Sequence, residues 1–403
     1  MSEEMDQVAV ATPAPTEEME VQIDPAIQQE IVDFISDHAT VMGSLALIEE
    51  IHRDLATVDG MSVALETMHE NIALEGIGET LKGYWQKFLA FVKKIWEKIV
   101  AFFERHFTVL GRRRQHIEQL LKSVKAIGSN PGVYQKLGNN EPPIVVSKAA
   151  TEYFMFDHLP CEDYSGLLAG LEGTQAAVKM ITQDYAQFVV GRAALIDKGI
   201  RAAKADNAQG ILVHVTQELT QNPFHAKGEL MGNVAVSYGE AEEGSHEENN
   251  LDTLRLMLTQ RQKAPSTIEF TPMKIQEMVQ IFGVMNNILD ILDTFKNGEY
   301  KTIVSNAKVM LNNTDQFVKN VSGLSVSDAI DAGERAVGHL KTYQDIMALN
   351  KHYLNWIKAP TMEAIRYVTN AFFFIGMEMD QNVSLYHADG AINIFTVMGG
   401  AFK

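Results

Sequence analysis

Seven basic side chains crowd into one stretch of the chain: Lys87, Lys93, Lys94, Lys98, Arg112, Arg113 and Arg114. Ammonium and guanidinium groups at this density suit the neutralisation of phosphates, and each arginine fork can hold two oxygens. No base-reading motif accompanies them, so the chemistry on offer is contact with a phosphate backbone or with lipid headgroups. Residue types for covalent or acid–base chemistry do not assemble in the same way. The twelve His are dispersed with no H-E-x-x-H spacing, and no G-x-S-x-G, phosphate-binding glycine loop or dinucleotide fingerprint occurs. The single cysteine, Cys161, lies beside Pro160 and Glu162 with no basic neighbour to lower its pKa, and it excludes a disulfide framework. His246-Glu247-Glu248 sits in a Glu-rich run and reads as a solvated loop. Three N-x-S/T triplets, at Asn312, Asn320 and Asn382, carry no meaning without a secretory signal, and MSEEMDQ does not read as one. We therefore expect no catalytic residue, no metal and no cofactor.

The basic cluster stands out against an acidic chain. Over 403 residues, 34 Lys+Arg face 52 Asp+Glu, a formal charge of −18. An evenly spread charge of this sign would exclude nucleic acid as a partner, but it is concentrated at one end. Residues 1–75 hold 17 acidic residues and one basic residue, Arg53, whereas residues 76–125 hold 11 basic and four acidic ones. Residues 80–107 carry the basic groups on an amphipathic helix. Leu81, Tyr84, Trp85, Phe88, Leu89, Val92, Ile95, Trp96, Ile99, Phe102, Phe103 and Phe107 keep the 3.6-residue period, with Lys and Glu opposite. We expect this helix to continue through Arg112–Lys125 after a break at Gly111. Three readings fit it: a core helix with a wet lysine face, a membrane-surface helix, or a phosphate-binding helix.

The acidic leader is more than a tail. Asp24-Pro25 is a good helix start. Ile27, Ile31, Phe34, Ile35, Val41, Leu45, Leu47 and Ile48 follow at helical spacing, and a second short helix is expected from Ser62. Beyond Ser129 the spacing predicts short strands at 144–146, 153–156, 211–213, 233–238 and 266–271. It predicts helices over 164–205, 251–262, 272–296, 298–320, 325–357 and 360–380. The expected fold is mainly α: a helical bundle body with a small β-element, preceded by a long basic amphipathic helix and an acidic, partly helical leader. The expected segments are a leader (1–75), the basic helical segment (76–128), a mixed domain (129–271) and a C-terminal bundle (272–403).

At the boundary between the two charge regimes stands Ala73-Leu74-Glu75-Gly76, followed by IGETLKGYWQKFLAFVKKIWEKI. An acidic leader, a small-x-Glu tripeptide and an aromatic basic helix meeting at one place resemble the internal head (inner body) proteins of large tailed bacteriophages. STIEFTPMKIQEMVQIF, later in the chain, is also similar to such proteins. The resemblance implies a non-enzymatic virion protein located inside the capsid. Its propeptide directs packaging into the prohead, and the maturation protease removes it by cutting after Glu75. Ala64-Leu65-Glu66, Ser2-Glu3-Glu4 and Gly170-Leu171-Glu172 match the same tripeptide. The implied partners are that protease, other capsid interior proteins and packaged DNA bound non-specifically. A membrane-active helix held inactive by its leader, with the host membrane as partner, is the alternative. A scaffolding or chaperone-like helical protein with a regulatory tail is a third reading.

Overall fold

The structure, a computed structural model, describes residues 25–71, 77–129, 142–202, 207–221, 224, 226–239, 251, 254–261, 263–322 and 332–386. Two long helices open it, α1 (Pro25–Asn71) and α2 (Ile77–Ser129). The break expected at Gly111 is absent, as is the one expected between two helices in the leader; Gly43 and Gly60 lie inside α1. A mid-helix glycine costs about 1 kcal/mol relative to alanine. In α2 the packing on both sides of Gly111 outweighs this, since Val109, Leu110, Ile117 and Leu120 are all buried. The aromatic face of α2 is core: Trp85, Phe88, Trp96, Phe102, Phe103 and Phe107 are each at most 7% exposed.

The body holds α3 (Tyr164–Lys179), a π turn (Met180–Tyr185), α4 (Ala186–Ala202) and α5 (Ala208–Gln221). After a small sheet come α6 (Ile275–Asn297), α7 (Glu299–Ser322), α8 (Ala332–Ile357), a second π turn (Lys358–Met362) and α9 (Glu363–Ser384). One apolar cluster runs through them all, from Ile48 of α1 to Tyr386. The run 211–213, expected as a strand, is helical in α5. Its buried positions Leu212, Val215 and Leu219 keep the helical period, which a three-residue apolar run by itself does not reveal. The helix expected over 251–262 is replaced by a strand at Leu256–Gln260, where pairing with a neighbouring strand satisfies the backbone instead.

α9 is buried almost all round, which marks it as the central helix. Its buried polar groups bind backbone and side chain outside the bundle. Glu378 accepts from the Ser147 N–H (3.1 Å), Asn382 accepts from the Met273 N–H (3.0 Å), and Asn370 donates to the Tyr153 hydroxyl (2.9 Å). These bonds pin β1 (Ile144–Val145) and β7 (Glu269–Phe270), an antiparallel pair, against the bundle. A second polar anchor is Arg192 of α4. It donates to the Leu219 and Leu254 carbonyls and lies between the Phe188 and Trp356 rings, 4.1 and 4.6 Å from their centroids.

The remaining strands form a hairpin, β2 (Met155–Phe156) with β3 (Leu159–Pro160), and a three-stranded antiparallel sheet. That sheet is ordered β4 (Lys227–Leu230), β5 (Val234–Tyr238), β6 (Leu256–Gln260). Asp157 (φ 46°) and His158 (φ 66°) make the two-residue hairpin turn, a position that favours Asn-Gly. The Gly232 and Asn233 N–H groups of the next turn both donate to the Met155 carbonyl, so the two turns brace each other. Relief of the left-handed strain at His158 is expected to make His158→Gly more stable by about 1 kcal/mol, measured as a raised urea midpoint.

Candidate functional site

α1 and α2 form an antiparallel hairpin, and its ion pairs sort the seven basic residues. Asp37 of α1, 1% exposed, accepts from two neighbouring arginines. Arg112 donates to its Oδ1 (2.8 Å from Nε) and Arg113 to its Oδ2 (2.9 Å). Arg113 is itself only 6% exposed, with its guanidinium 4.9 Å from the Phe373 ring centroid. Nearer the hairpin apex, Lys98 reaches Glu50 at 2.6 Å and Asp54 at 2.5 Å. Burial works against the Lys98 ammonium, but the hydrogen bonds it donates to Asp54 and Glu50 outweigh it and hold its pKa above the usual lysine value. Arg114 faces the other way, onto Asp290 (2.7 Å) and Asp293 (2.8 Å) of α6. Lys87, Lys93 and Lys94 point to solvent, Lys87 over the Tyr84 ring and Lys94 over the Phe91 ring.

Helical geometry adds a pattern to this. At 100° per residue, Lys87, Lys94, Lys98, Arg105 and Arg112 fall in one stripe roughly 40 Å long. Lys98 and Arg112 of this stripe are engaged by α1, whereas Lys87, Lys94 and Arg105 are exposed. Among the described residues, the four ion pairs between α1 and α2 are each centred on a sequence position between 74 and 76, as an antiparallel hairpin requires. Ala73, Leu74, Glu75 and Gly76 lie outside the described residues, between the end of α1 at Asn71 and the start of α2 at Ile77. Glu66, the alternative position, lies within α1, and Gly170-Leu171-Glu172 lies within α3 with Leu171 fully buried.

Sequence reasoning missed the leader's half of this arrangement. Asp37, Glu50 and Asp54 looked like undifferentiated acidic residues; their signal was the common midpoint they share with Lys98 and Arg112. Also missed was His52, whose Nδ1 accepts from Lys358 Nζ at 3.0 Å. Burial, with Arg255 nearby, pushes the Lys358 ammonium down to about 8, and Lys358 in turn holds His52 below the ordinary histidine value. This contact ties α1 to the π turn between α8 and α9.

Burial pushes the Cys161 thiol up to about 12, which makes it a poor nucleophile. Among the described residues, no group of three or more His, Cys, Asp or Glu is placed to hold a metal, and no helix is long and apolar enough to cross a membrane. No curated protein and no solved structure matches the chain. A family model does, that of the phiKZ-like phage internal head proteins, over residues 48–372. The match starts at Ile48, where the buried aliphatic seam of α1 begins, and runs through α2 and the body into the central helix. A match over most of the chain, on a mainly helical fold, decides the assignment: this protein belongs to the phiKZ-like phage internal head proteins, structural proteins found inside the capsid.

Proposed function

We propose that the acidic leader, residues 1–75, takes the protein into the forming prohead as a cargo of other capsid interior proteins. The maturation protease then cuts after Glu75, and the body lies against packaged DNA. The observation that carries the reading is the pairing of α1 with α2, an acidic arm clamped to a basic one, with Ala73-Leu74-Glu75 falling in sequence between the two helices. Proteases act on chain they can extend, which counts against Glu66 inside α1 and Glu172 inside α3, where the backbone is held in helical hydrogen bonds. The remaining segments, 76–128, 129–271 and 272–403, would stay together in the product.

DNA contact falls first to Lys87, Lys93 and Lys94, which reach solvent. Lys98, Arg112, Arg113 and Arg114 are held by carboxylates and join only where those carboxylates are displaced. Binding of this kind neutralises phosphates without reading bases, so affinity should fall steeply with salt. Ejection with the genome is compatible with the reading but is not required by it. Contact with a host membrane through the aromatic face would require α2 to leave the bundle, because that face is core.

Mass spectrometry of purified particles tests the first step. The expected product begins at Gly76, and Glu75→Gln is expected to leave the leader attached in more than nine-tenths of the copies. Full-length protein in mature wild-type particles would sink the maturation reading.

A further inference from the structure

The contacts that hold α1 do not depend on the peptide link that a protease would cut. Asp37, Ser44, Ile48, Ile51, Leu55 and Val58 recur at intervals of seven, four, three, four and three residues and are all buried. This spacing is the seam of a helix packed along its length, about 32 Å from Asp37 to Val58 at 1.5 Å per residue. Ile48, Ile51, Leu55 and Val58 belong to the same apolar cluster as α2, α8 and α9 rather than to a patch of their own. Val58, the last of these six, precedes Glu75 by 17 residues in sequence, so a cut there removes none of these side chains from the core. Departure of α1 would instead open the cluster to water along α2, α8 and α9. It would also leave Arg113 buried without Asp37 and Lys358 without His52.

We infer that the leader outlasts its own excision: after the cut, α1 stays seated on the body as a separate chain, and the mature protein is a two-chain molecule. The inference rests on the maturation reading above for its biological setting, although its physical content is the stability of the α1 seam alone. Cutting converts a tethered contact, with an effective concentration on the order of millimolar, into an association between two molecules. Four buried aliphatic side chains and a buried carboxylate clamped by two arginines are enough to keep such a helix bound at the micromolar concentrations of a test. A consequence for the basic face follows. Lys98, Arg112 and Arg113 stay neutralised after maturation, and phosphate contact remains with the exposed lysines.

The test uses the full chain with a recognition site for a sequence-specific protease placed between Asn71 and Ile77, cut after purification. In gel filtration and native mass spectrometry the two fragments should travel together, with the mass of the uncut chain plus one water, and should part only in denaturant. Binding of a short DNA duplex should show the same salt slope before and after the cut. A leader fragment eluting alone in native buffer overturns the inference. So does a log–log salt slope that steepens by about 2.7 on cutting, the value for three newly freed cations at about 0.9 each. Because the cut is made in vitro, uncleaved protein in particles would refute the maturation reading without touching this result.

Discussion

Asp37→Ala should destabilise the protein by about 3–5 kcal/mol, far more than the loss of a surface ion pair. Its carboxylate is buried and serves two arginines, and one of them, Arg113, is also buried. Removing the anion leaves the Arg113 guanidinium in the interior beside Phe373 with its main counter-charge gone. The damage should be local as well as large. Amide exchange across the first half of α1 should quicken by about a hundredfold or more, while α9 changes little. A double-mutant cycle separates the pair from the single residues. Asp37→Ala/Arg113→Met should recover a large part of the loss, because a buried pair replaced on both sides by apolar groups leaves no orphaned charge. Additive losses in the double variant would mean that Asp37 acts through something other than Arg113. The same variants measure how firmly the leader grips the body, since Asp37 is the first buried anchor of α1 among the described residues. By contrast Glu50→Ala removes a half-exposed partner of Lys98 and leaves the ammonium on Asp54, and a loss below about 1 kcal/mol is expected there.

Most of the helical architecture was legible from periodicity, and the reasons differ where it was not. The aromatic face of α2 keeps its period over 27 residues, so its existence as a helix was never in doubt. What the pattern left open was which surface that face meets: a bilayer, a partner or the protein's own core presents the same one-sided pattern. The structure answers it: Phe103 and Phe107 pack against Phe295 of α6 and Tyr300 of α7, so the face meets the protein's own core. A second helix was expected from Ser62, but α1 runs unbroken through that point; the buried seam from Ile48 to Val58 carries the helix up to Gly60. At Ile211-Leu212-Val213 and around Leu256 the local signal was too short to separate the two periods, and tertiary pairing decided. The seven basic residues were legible as a cluster, but their division was not. Arg112, Arg113 and Arg114 are adjacent in sequence, yet helical rotation sends the first two to Asp37 and the third to α6. Such assignments depend on which carboxylates the rest of the chain brings near.

Two histidines in α2 give the protein an acid-sensitive core. His106 lies against the Phe102 ring, with centroids 3.9 Å apart, and its Nδ1 is 3.0 Å from the Phe102 carbonyl. His116 sits against Gly376 of α9 and beside Arg113. Burial pushes both imidazoles down to about 4, with Arg366 and Arg105 adding to the effect at His106 and Arg113 at His116. An unfolded histidine titrates near 6.5, so between pH 6.5 and 4 the unfolded chain binds more protons than the folded one. The stabilisation is complete above pH 6.5, declines as pH falls through this window, and is gone below 4. Its size is about 3 kcal/mol for each histidine. Glu363 and Glu378 oppose it: burial raises their carboxyl pKa values, so acidification relieves a cost that the folded protein carries at neutral pH. The comparison that isolates the histidines is therefore between variants. His106→Phe/His116→Leu should lose less stability than the parent between pH 7 and pH 4.5 by roughly 3 kcal/mol or more in urea midpoints converted with a common slope. Equal acid limbs in the two proteins would mean that the imidazoles titrate in the folded chain as they do in the unfolded one, and that the core of α2 is wetter than its packing implies.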